Sequence, residues 1–319
     1  MPDTGDAFPA RGADTTSLAR RIGHLAGTAH SGFVPGIARL YRSLQGPLLA
    51  TDAKPLLRAL QGMQQAVADA ECHHAGPGWL RWLPWLGSGR QVEVQYQTDC
   101  REALQTGDAV AGHAQALARM HQPQVADAGR QLSQLEELID AMDVPLQQAQ
   151  SLLTTLWHGL RPQRPDPEDP EALDQLRALL ADVDTHRALV QRLEGTCSAA
   201  RDVVRVGRAV LAARDALLGL LGGRFDRCWD EWRQRVTPAL QSEPAVGETK
   251  QVADVARKAT PARRALLQQL EQARTACTRL QIDEQALAQA LAHLGEQLAA
   301  LGDRPLGDDP TLPGRLQRR

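Results

Sequence analysis

Apolar residues recur at intervals of three and four positions along most of the chain, which is the spacing of one face of an α-helix. One stripe covers residues 90–120, and a second covers residues 124–156 after an interruption at Pro123. Two amphipathic helices joined by a short break pack their stripes together as an antiparallel hairpin. We therefore predict a helical hairpin here, with Pro145 able to kink its second helix.

The N-terminal part of the chain shows shorter patterns. Gly32 and Pro35 separate two predicted helices, over residues 17–29 and 35–48, because glycine and proline interrupt helical sequence. Asp52 is predicted to cap a third helix that extends to about residue 72.

The second half of the chain opens with a proline-rich connector. Residues 161–170 contain four prolines, which exclude a helix and stiffen the segment. Pro170 then begins a long helix, predicted to end at the glycines 222–223, and a shorter helix ends at Pro238.

The last predicted helix covers residues 252–301 and carries a heptad-like seam with one polar gap at Glu284. Such a seam needs a partner helix, either within the chain or in a second chain.

These stripes predict an all-α fold, namely an elongated bundle of long amphipathic helices with coiled-coil-like hairpins. The predicted organisation is a disordered N-terminus, an N-terminal helical region with a Trp-rich loop, a proline-rich connector, a long-helix bundle and a disordered tail. Their bounds are 1–14, 15–160 with the loop at 76–89, 161–170, 171–301 and 302–319.

Composition narrows the class of protein further. Aromatic residues make up only 3%, so the core consists of Leu, Val and Ala, which suit close helix packing. A net charge of −2 argues against a globally basic nucleic-acid binder. The five cysteines include no Cys-x-x-Cys pair and no signal peptide precedes them, which predicts free thiols in a reducing cytoplasm.

The sequence contains no motif of a catalytic or cofactor site. It has no nucleotide-binding glycine loop, no nucleophile elbow and no zinc-ligand spacing. Cys72, His73 and His74 are adjacent, and neighbouring helical residues point about 100° apart, so they cannot share one ion. We predict a non-enzymatic protein without cofactor or metal.

Trp79, Trp82 and Trp85 are concentrated in the loop 76–89. Tryptophan prefers a membrane interface, so this loop is a candidate for peripheral membrane association. The alternative is that the loop folds back and caps the core of a bundle.

Arg201, Arg205 and Arg208 fall on one helical face and are a second candidate interaction site. This arginine face could hold an oxyanion, a phospholipid or nucleic acid. The alternative is a solvated face paired with acids of neighbouring helices, for which the acid-rich residues 168–184 are candidates.

Three groups of segments carry a resemblance to a known family. They are Leu83-Pro-Trp-Leu-Gly87 with Leu104-Gln-Thr-Gly107, then Val203-Val-Arg-Val206 with Trp232 and Val236-Thr-Pro238, and finally Ile282-Asp-Glu-Gln-Ala-Leu287. In their order along the chain they resemble the toxic-anion-resistance family, the TelA and KlaA type associated with tellurite resistance. The resemblance covers residues 50–300 and implies a cytoplasmic helical protein linked to resistance against oxyanions.

We expect a non-enzymatic helical scaffold that acts in stress or toxic-anion resistance through protein partners or self-association along its helical seams. A membrane surface is a second candidate partner, nucleic acid is disfavoured, and no small-molecule substrate is evident. One alternative is thiol chemistry, in which Cys228, flanked by Arg227 with Arg224 one turn back, reduces or traps tellurite. Another is peripheral membrane or nucleic-acid binding through the Trp loop or the arginine face.

Overall fold

The computed structural model describes residues 8–49, 52–71, 89–160, 170–241 and 249–302. Apart from a few residues at the ends of these ranges the chain is helical, and the described residues contain no strand, which confirms the all-α prediction. The elements are α1 (Phe8–Leu49), α2 (Lys54–Asp69), α3 (Gly89–Leu160), α4 (Pro170–Leu220), a π-helical segment (Leu221–Phe225), α5 (Asp226–Gln241) and α6 (Thr249–Leu301).

The prediction of two short N-terminal helices is wrong, because α1 continues through Gly32 and Pro35. The Pro35 ring lies on an exposed position, while Ala29 and Ile37 on either side are buried. Burial of the stripe outweighs the one backbone hydrogen bond that proline removes. The helix also begins at Phe8, so it includes residues 8–14, which were predicted to be disordered; Ala10, Arg11 and Ala13 there are all strong helix formers.

The predicted break of the hairpin at Pro123 is also wrong, because α3 is a single helix of 72 residues. Pro123 is exposed, whereas His121 and Ala128 are buried on the same stripe. A proline on the solvent side leaves the freed carbonyl accessible to water, so the helix survives it.

The glycines 222–223 do not end the helix as predicted. They lie in the π-helical segment, which leads directly into α5 and buries Leu221 and Phe225. Because a π turn contains more residues than an α turn, it changes which positions face the core between α4 and α5. Pro238 is likewise inside α5, which ends at Gln241, and the ring is exposed.

The described helices belong to two compact units. Unit 1 comprises Met1–Gly46, Ala128–Arg208 and Ala286–Arg319, and unit 2 comprises Pro47–Asp127 and Ala209–Gln285. Helices α3, α4 and α6 each contribute to both units, so neither unit is a continuous stretch of sequence.

In unit 1 the helices approach one another closely at glycines. A Cβ atom added to Gly36 of α1 would lie 2.9 Å from Leu138 Cδ1 of α3. One added to Gly295 of α6 would lie 2.5 Å from the hydroxyl oxygen of Tyr41 in α1. Burial raises the pKa of this tyrosine above its usual value.

In unit 2 the core contains two tryptophans of α5, Trp229 and Trp232, whose rings stack with centroids 5.6 Å apart. Trp229 fits against α3 only because residue 107 is glycine, since a Cβ there would lie 2.3 Å from its ring. The amide of Gln97 in α3 donates to the Ala239 carbonyl of α5 over 2.8 Å, in the same core.

The seam of α6 closes within the chain. Its described apolar positions are almost all fully buried: Ala259, Leu266, Leu270, Ala273, Cys277, Leu280, Leu287, Leu291, Leu294 and Leu298.

Candidate functional site

The arginine face lies in unit 1, where α4 packs against α3. Arg201 forms an ion pair with Asp143, and the Arg208 Nη2 atom lies 2.6 Å from Glu136 Oε2. Arg205 pairs with Asp202 on its own helix over 2.9 Å and is the most exposed of the three arginines. All three guanidinium groups therefore have carboxylate partners within unit 1.

The contacts between α3 and α4 repeat once per heptad along both helices. They form an antiparallel ladder of four rungs: Glu136–Arg208, Asp143–Arg201, Gln150–Glu194 and Trp157–Arg187. Repeats of this kind set the register of two helices and contribute little net stability at exposed positions. The acids that pair with Arg201 and Arg208 thus come from α3, that of Arg205 comes from α4 itself, and none comes from residues 168–184, where they were predicted.

A groove of about 480 Å³ lies at the last two rungs of the ladder, between α3 and α4. The Arg187 guanidinium lies 5.9 Å from the centroid of the Trp157 ring, which is a cation–π distance. Burial, and then the nearby Asp143 carboxylate, raise the pKa of Glu194 above its usual value. The groove is open and bears charges of both signs, so it matches no single ligand class.

In unit 1 helix α4 runs past the end of α3. Trp157 is opposite Arg187, so Leu160, the last residue of α3, is level with about residue 184 of α4. At 1.5 Å per residue, α4 from Pro170 to that level is about 21 Å long. Over this length Leu173, Leu176 and Leu180 are only half-buried, whereas Val183, next on the stripe, is fully buried.

Unit 2 contains a second polar cluster, in its core. The Arg214 Nη2 atom lies 2.9 Å from Glu284 Oε1, and their side chains are 1% and 13% exposed. Taking both charges out of water is costly, so a buried pair of this kind is tolerated only when both side chains make further hydrogen bonds.

Those groups are backbone atoms at the ends of α1 and α2. Arg214 also donates to the Leu48 carbonyl over 2.8 Å, and the Ala53 N–H donates to Glu284 Oε2 over 3.3 Å. The thiol of Cys277 donates to the Ala53 carbonyl over 3.6 Å. These five residues, here called the clasp, bond groups at the ends of α1 and α2. The Leu48 carbonyl and the Ala53 N–H are of the kind that helix ends leave without intrahelical partners, whereas the Ala53 carbonyl also accepts from the Leu57 N–H.

The clasp could have been found in the sequence. Glu284 is the gap in the α6 seam, between Leu280 and Leu287. Arg214 occupies the matching position between Val210 and Leu217 on the α4 stripe. Opposite charges at apolar positions of two helices predict a buried ion pair between them.

Unit 2 buries two further basic side chains. Arg263 is 8% exposed and lies 2.9 Å from Glu71 Oε2, and it also donates to the Ala68 carbonyl at the end of α2. The Nε2 atom of His121, itself 2% exposed, lies 2.8 Å from Asp215 Oδ1. A cavity of about 160 Å³ beside Arg263 is lined by Tyr96 and Trp232, among others.

The described cysteines differ in accessibility. Cys228, the candidate reactive thiol, is half-buried, whereas Cys100, Cys197 and Cys277 are buried. Burial, and secondarily Asp143 for Cys197 and Glu284 for Cys277, raise the pKa of each of these two thiols to about 12.

Several predicted features lie outside the described residues: Trp79, Trp82 and Trp85, the Cys72-His73-His74 run, and the connector apart from Pro170. Within the described ranges, His, Cys, Asp and Glu side chains form no cluster of three that could hold a metal ion. No described helix has the apolar length that crossing a bilayer requires.

Comparison with protein-family models, with curated proteins and with solved structures finds no match to this chain.

Proposed function

We propose that this chain is a non-enzymatic cytoplasmic scaffold that acts through protein contacts along its helices, in resistance to toxic anions or related stress. The observation that carries the proposal is the half-buried leucine stripe at the start of α4, where α3 has already ended. Apolar helix faces that remain partly exposed typically receive partner helices.

The resemblance to toxic-anion-resistance proteins supplies the physiological setting. The geometry favours contact over anion capture at the arginine face, because Arg201 and Arg208 are bound to carboxylates of α3. An incoming oxyanion would have to displace those carboxylates.

The first experiment is deletion of the gene in its native host, followed by challenge with tellurite, bacteriocin and phage. We expect increased sensitivity to at least one of them, restored by the unaltered gene. Unchanged sensitivity to all three would refute the proposal.

Complementation with two variants of α4 then tests the contact surface. Leu176→Arg places a charge on the half-buried stripe, and Ala178→Arg places the same charge on an exposed position two residues away. We expect Ala178→Arg to restore resistance and Leu176→Arg not to restore it. Equal restoration by both would remove the stripe from the proposal.

A second candidate function is thiol-based trapping or reduction of tellurite at Cys228. One observation favours it: the thiol of Cys228 is partly exposed, whereas the other three described cysteines are buried. Cys228→Ser should abolish tellurite resistance if the thiol acts chemically, and full resistance of this variant would exclude it.

A further inference from the structure

The cavity of about 160 Å³ in unit 2 lies beside the end of α2. Its walls come from residues 70–71, which follow α2, from Tyr96 of α3, from Trp232 of α5 and from the α6 residues between 256 and 263. Apolar protein cavities of about 150 Å³ hold a benzene molecule. The space is therefore large enough for one six-membered ring.

The apolar part of the cavity has a fixed aromatic surface. Trp232 and Tyr96 are both almost fully buried, and the Trp232 ring stacks on that of Trp229. Three alanines complete this part: Ala70, Ala256 and Ala259. Because buried, stacked rings do not need to be ordered on binding, a flat apolar ligand can pack against them at little entropic cost.

The polar part of the cavity is the guanidinium group of Arg263. This arginine is buried, and its Nη1 atom donates to the Ala68 carbonyl over 2.9 Å, which holds the group at the cavity wall. Its Nη2 atom lies 2.9 Å from Glu71 Oε2. Since a guanidinium binds a carboxylate through charge-assisted hydrogen bonds, Arg263 can anchor an anionic ligand.

Glu71 is the contact of Arg263 that a ligand can replace. Its side chain is about half exposed, so its carboxylate can turn into water at small cost. The bond to the Ala68 carbonyl meanwhile keeps the guanidinium in place. A ligand carboxylate can therefore occupy the position of the Glu71 carboxylate at Nη2.

The buried charge decides which ligand the cavity favours. Three charged residues line it, Glu71, Arg257 and Arg263, and only Arg263 is buried. Water screens the exposed charges of Glu71 and Arg257, the second of which also pairs with Asp254 on its own helix. Aromatic rings attract cations as well, but a cation in this cavity would face the guanidinium of Arg263. The lining thus favours an anion with an apolar, flat body.

We propose that this cavity binds a small aromatic carboxylate of the size of benzoate. The carboxylate of the ligand binds Arg263 in place of Glu71, and its ring packs against Trp232, Tyr96 and the three alanines. This inference goes beyond the proposed function, and neither depends on the other.

The test is calorimetric titration of the full chain with benzoate, benzamide, benzylammonium and acetate. We expect a dissociation constant of about 1 mM or lower for benzoate. Benzamide lacks the charge, benzylammonium reverses it and acetate lacks the ring, so each should bind at least about tenfold more weakly. Absence of benzoate binding, or an equal affinity for any of the other three compounds, would overturn the inference.

Glu71→Gln is the most informative variant, because it should increase the affinity. It removes the competing carboxylate from a half-exposed position, so benzoate should bind about two- to fivefold more tightly. Glu271→Gln is the matched control, since Glu271 is an exposed glutamate of α6 that pairs with Arg274 outside the cavity lining. This control should leave the affinity unchanged. Unchanged or weaker binding by Glu71→Gln would refute the displacement of Glu71 and with it the proposed site.

Two further variants should weaken binding. Ala256→Leu fills the cavity and Arg263→Gln removes its cation, so each should raise the dissociation constant of benzoate at least about tenfold. Circular dichroism shows which of them are folded, and Glu71→Gln decides the question if neither is. A folded variant of either kind with unaltered affinity would place benzoate elsewhere on the chain and overturn the inference.

Discussion

The two units of this chain place their charges differently. In unit 1 the interhelical ion pairs of Arg201 and Arg208 lie at the surface, with arginine side chains about half exposed. In unit 2 Arg214, Arg263 and His121 are all nearly inaccessible to solvent. The buried polar side chains described in unit 1 are threonines, Thr15 and Thr196.

The difference follows from the continuity of the helices. In unit 1 each of the four described segments is one continuous helix, so apart from the terminal turns and Pro35 and Pro145 the backbone groups pair along the helix and the core can be apolar. In unit 2 the chain passes from α1 to α2 and α2 ends, so carbonyls and an N–H group face the core. Arg214, Glu284 and Arg263 bond those groups, which explains why they occupy apolar positions.

The largest expected effect is that of breaking the clasp. Arg214→Ala should lower the free energy of unfolding by about 3–5 kcal/mol, because Glu284 would remain buried without its counter-ion. The midpoint of urea unfolding measures this change. If the loss is under about 1 kcal/mol, the pair is not buried as described.

Two of the buried cysteines, Cys197 in unit 1 and Cys277 in unit 2, sharpen the comparison because they should behave alike. Their pKa values of about 12 exceed the unfolded value of about 8.5, so the folded chain retains protons that the unfolded chain releases above that pH. The stability that each buried, protonated thiol contributes to the folded state is fully present below about pH 8 and is lost as pH rises towards 12.

The loss should reach about 2 kcal/mol per cysteine at pH 10. Urea unfolding at pH 8 and pH 10 measures it, and Cys197→Ala and Cys277→Ala should each remove part of the pH dependence. A pH dependence identical in both variants and the unaltered chain would contradict the assigned burial.

A smaller effect is expected at the contact between Gly107 and Trp229. Gly107→Ala should destabilise the chain by about 1–2 kcal/mol, because the clash with a stacked, rigid ring exceeds the gain in helix propensity. Gly112 of the same helix has nothing within 4 Å, so Gly112→Ala should stabilise by about 0.5–1 kcal/mol. Thermal unfolding of both variants checks the sign, and equal signs would count against the close contact.

The smallest effect is expected in the ladder. Arg208→Ala should cost less than about 1 kcal/mol, because water already solvates both partners, and the cost should shrink further in salt. Urea unfolding at low and high ionic strength measures it. A salt-independent loss of several kcal/mol would place this pair in the same class as the clasp.

The fold class was predictable from the apolar stripes, because the residues of those stripes are the ones that the helices bury in the structure. The predicted breaks at Pro35, Pro123 and Gly222-Gly223 were wrong for one reason. A local signal predicts a helix end without knowing whether the proline faces solvent or whether a π turn can absorb the glycines.

The ladder was half predictable. A shared face for Arg201 and Arg208 follows from their spacing, but the identity of Asp143 and Glu136 requires the register of α3 against α4, which the wrong break at Pro123 concealed. The clasp depends on which helix ends meet in three dimensions. The apolar stripes indicate only its two charged residues, Arg214 and Glu284, as interruptions of an apolar pattern.

A pair of double-mutant cycles tests most directly the claim that unit 2 depends on buried charge and unit 1 does not. The cycles combine Arg214→Ala with Glu284→Ala, and Arg208→Ala with Glu136→Ala, with unfolding free energies from urea titration. We predict a coupling energy above about 2 kcal/mol for Arg214 with Glu284, and below about 1 kcal/mol for Arg208 with Glu136. Equal coupling energies in the two units would contradict the account.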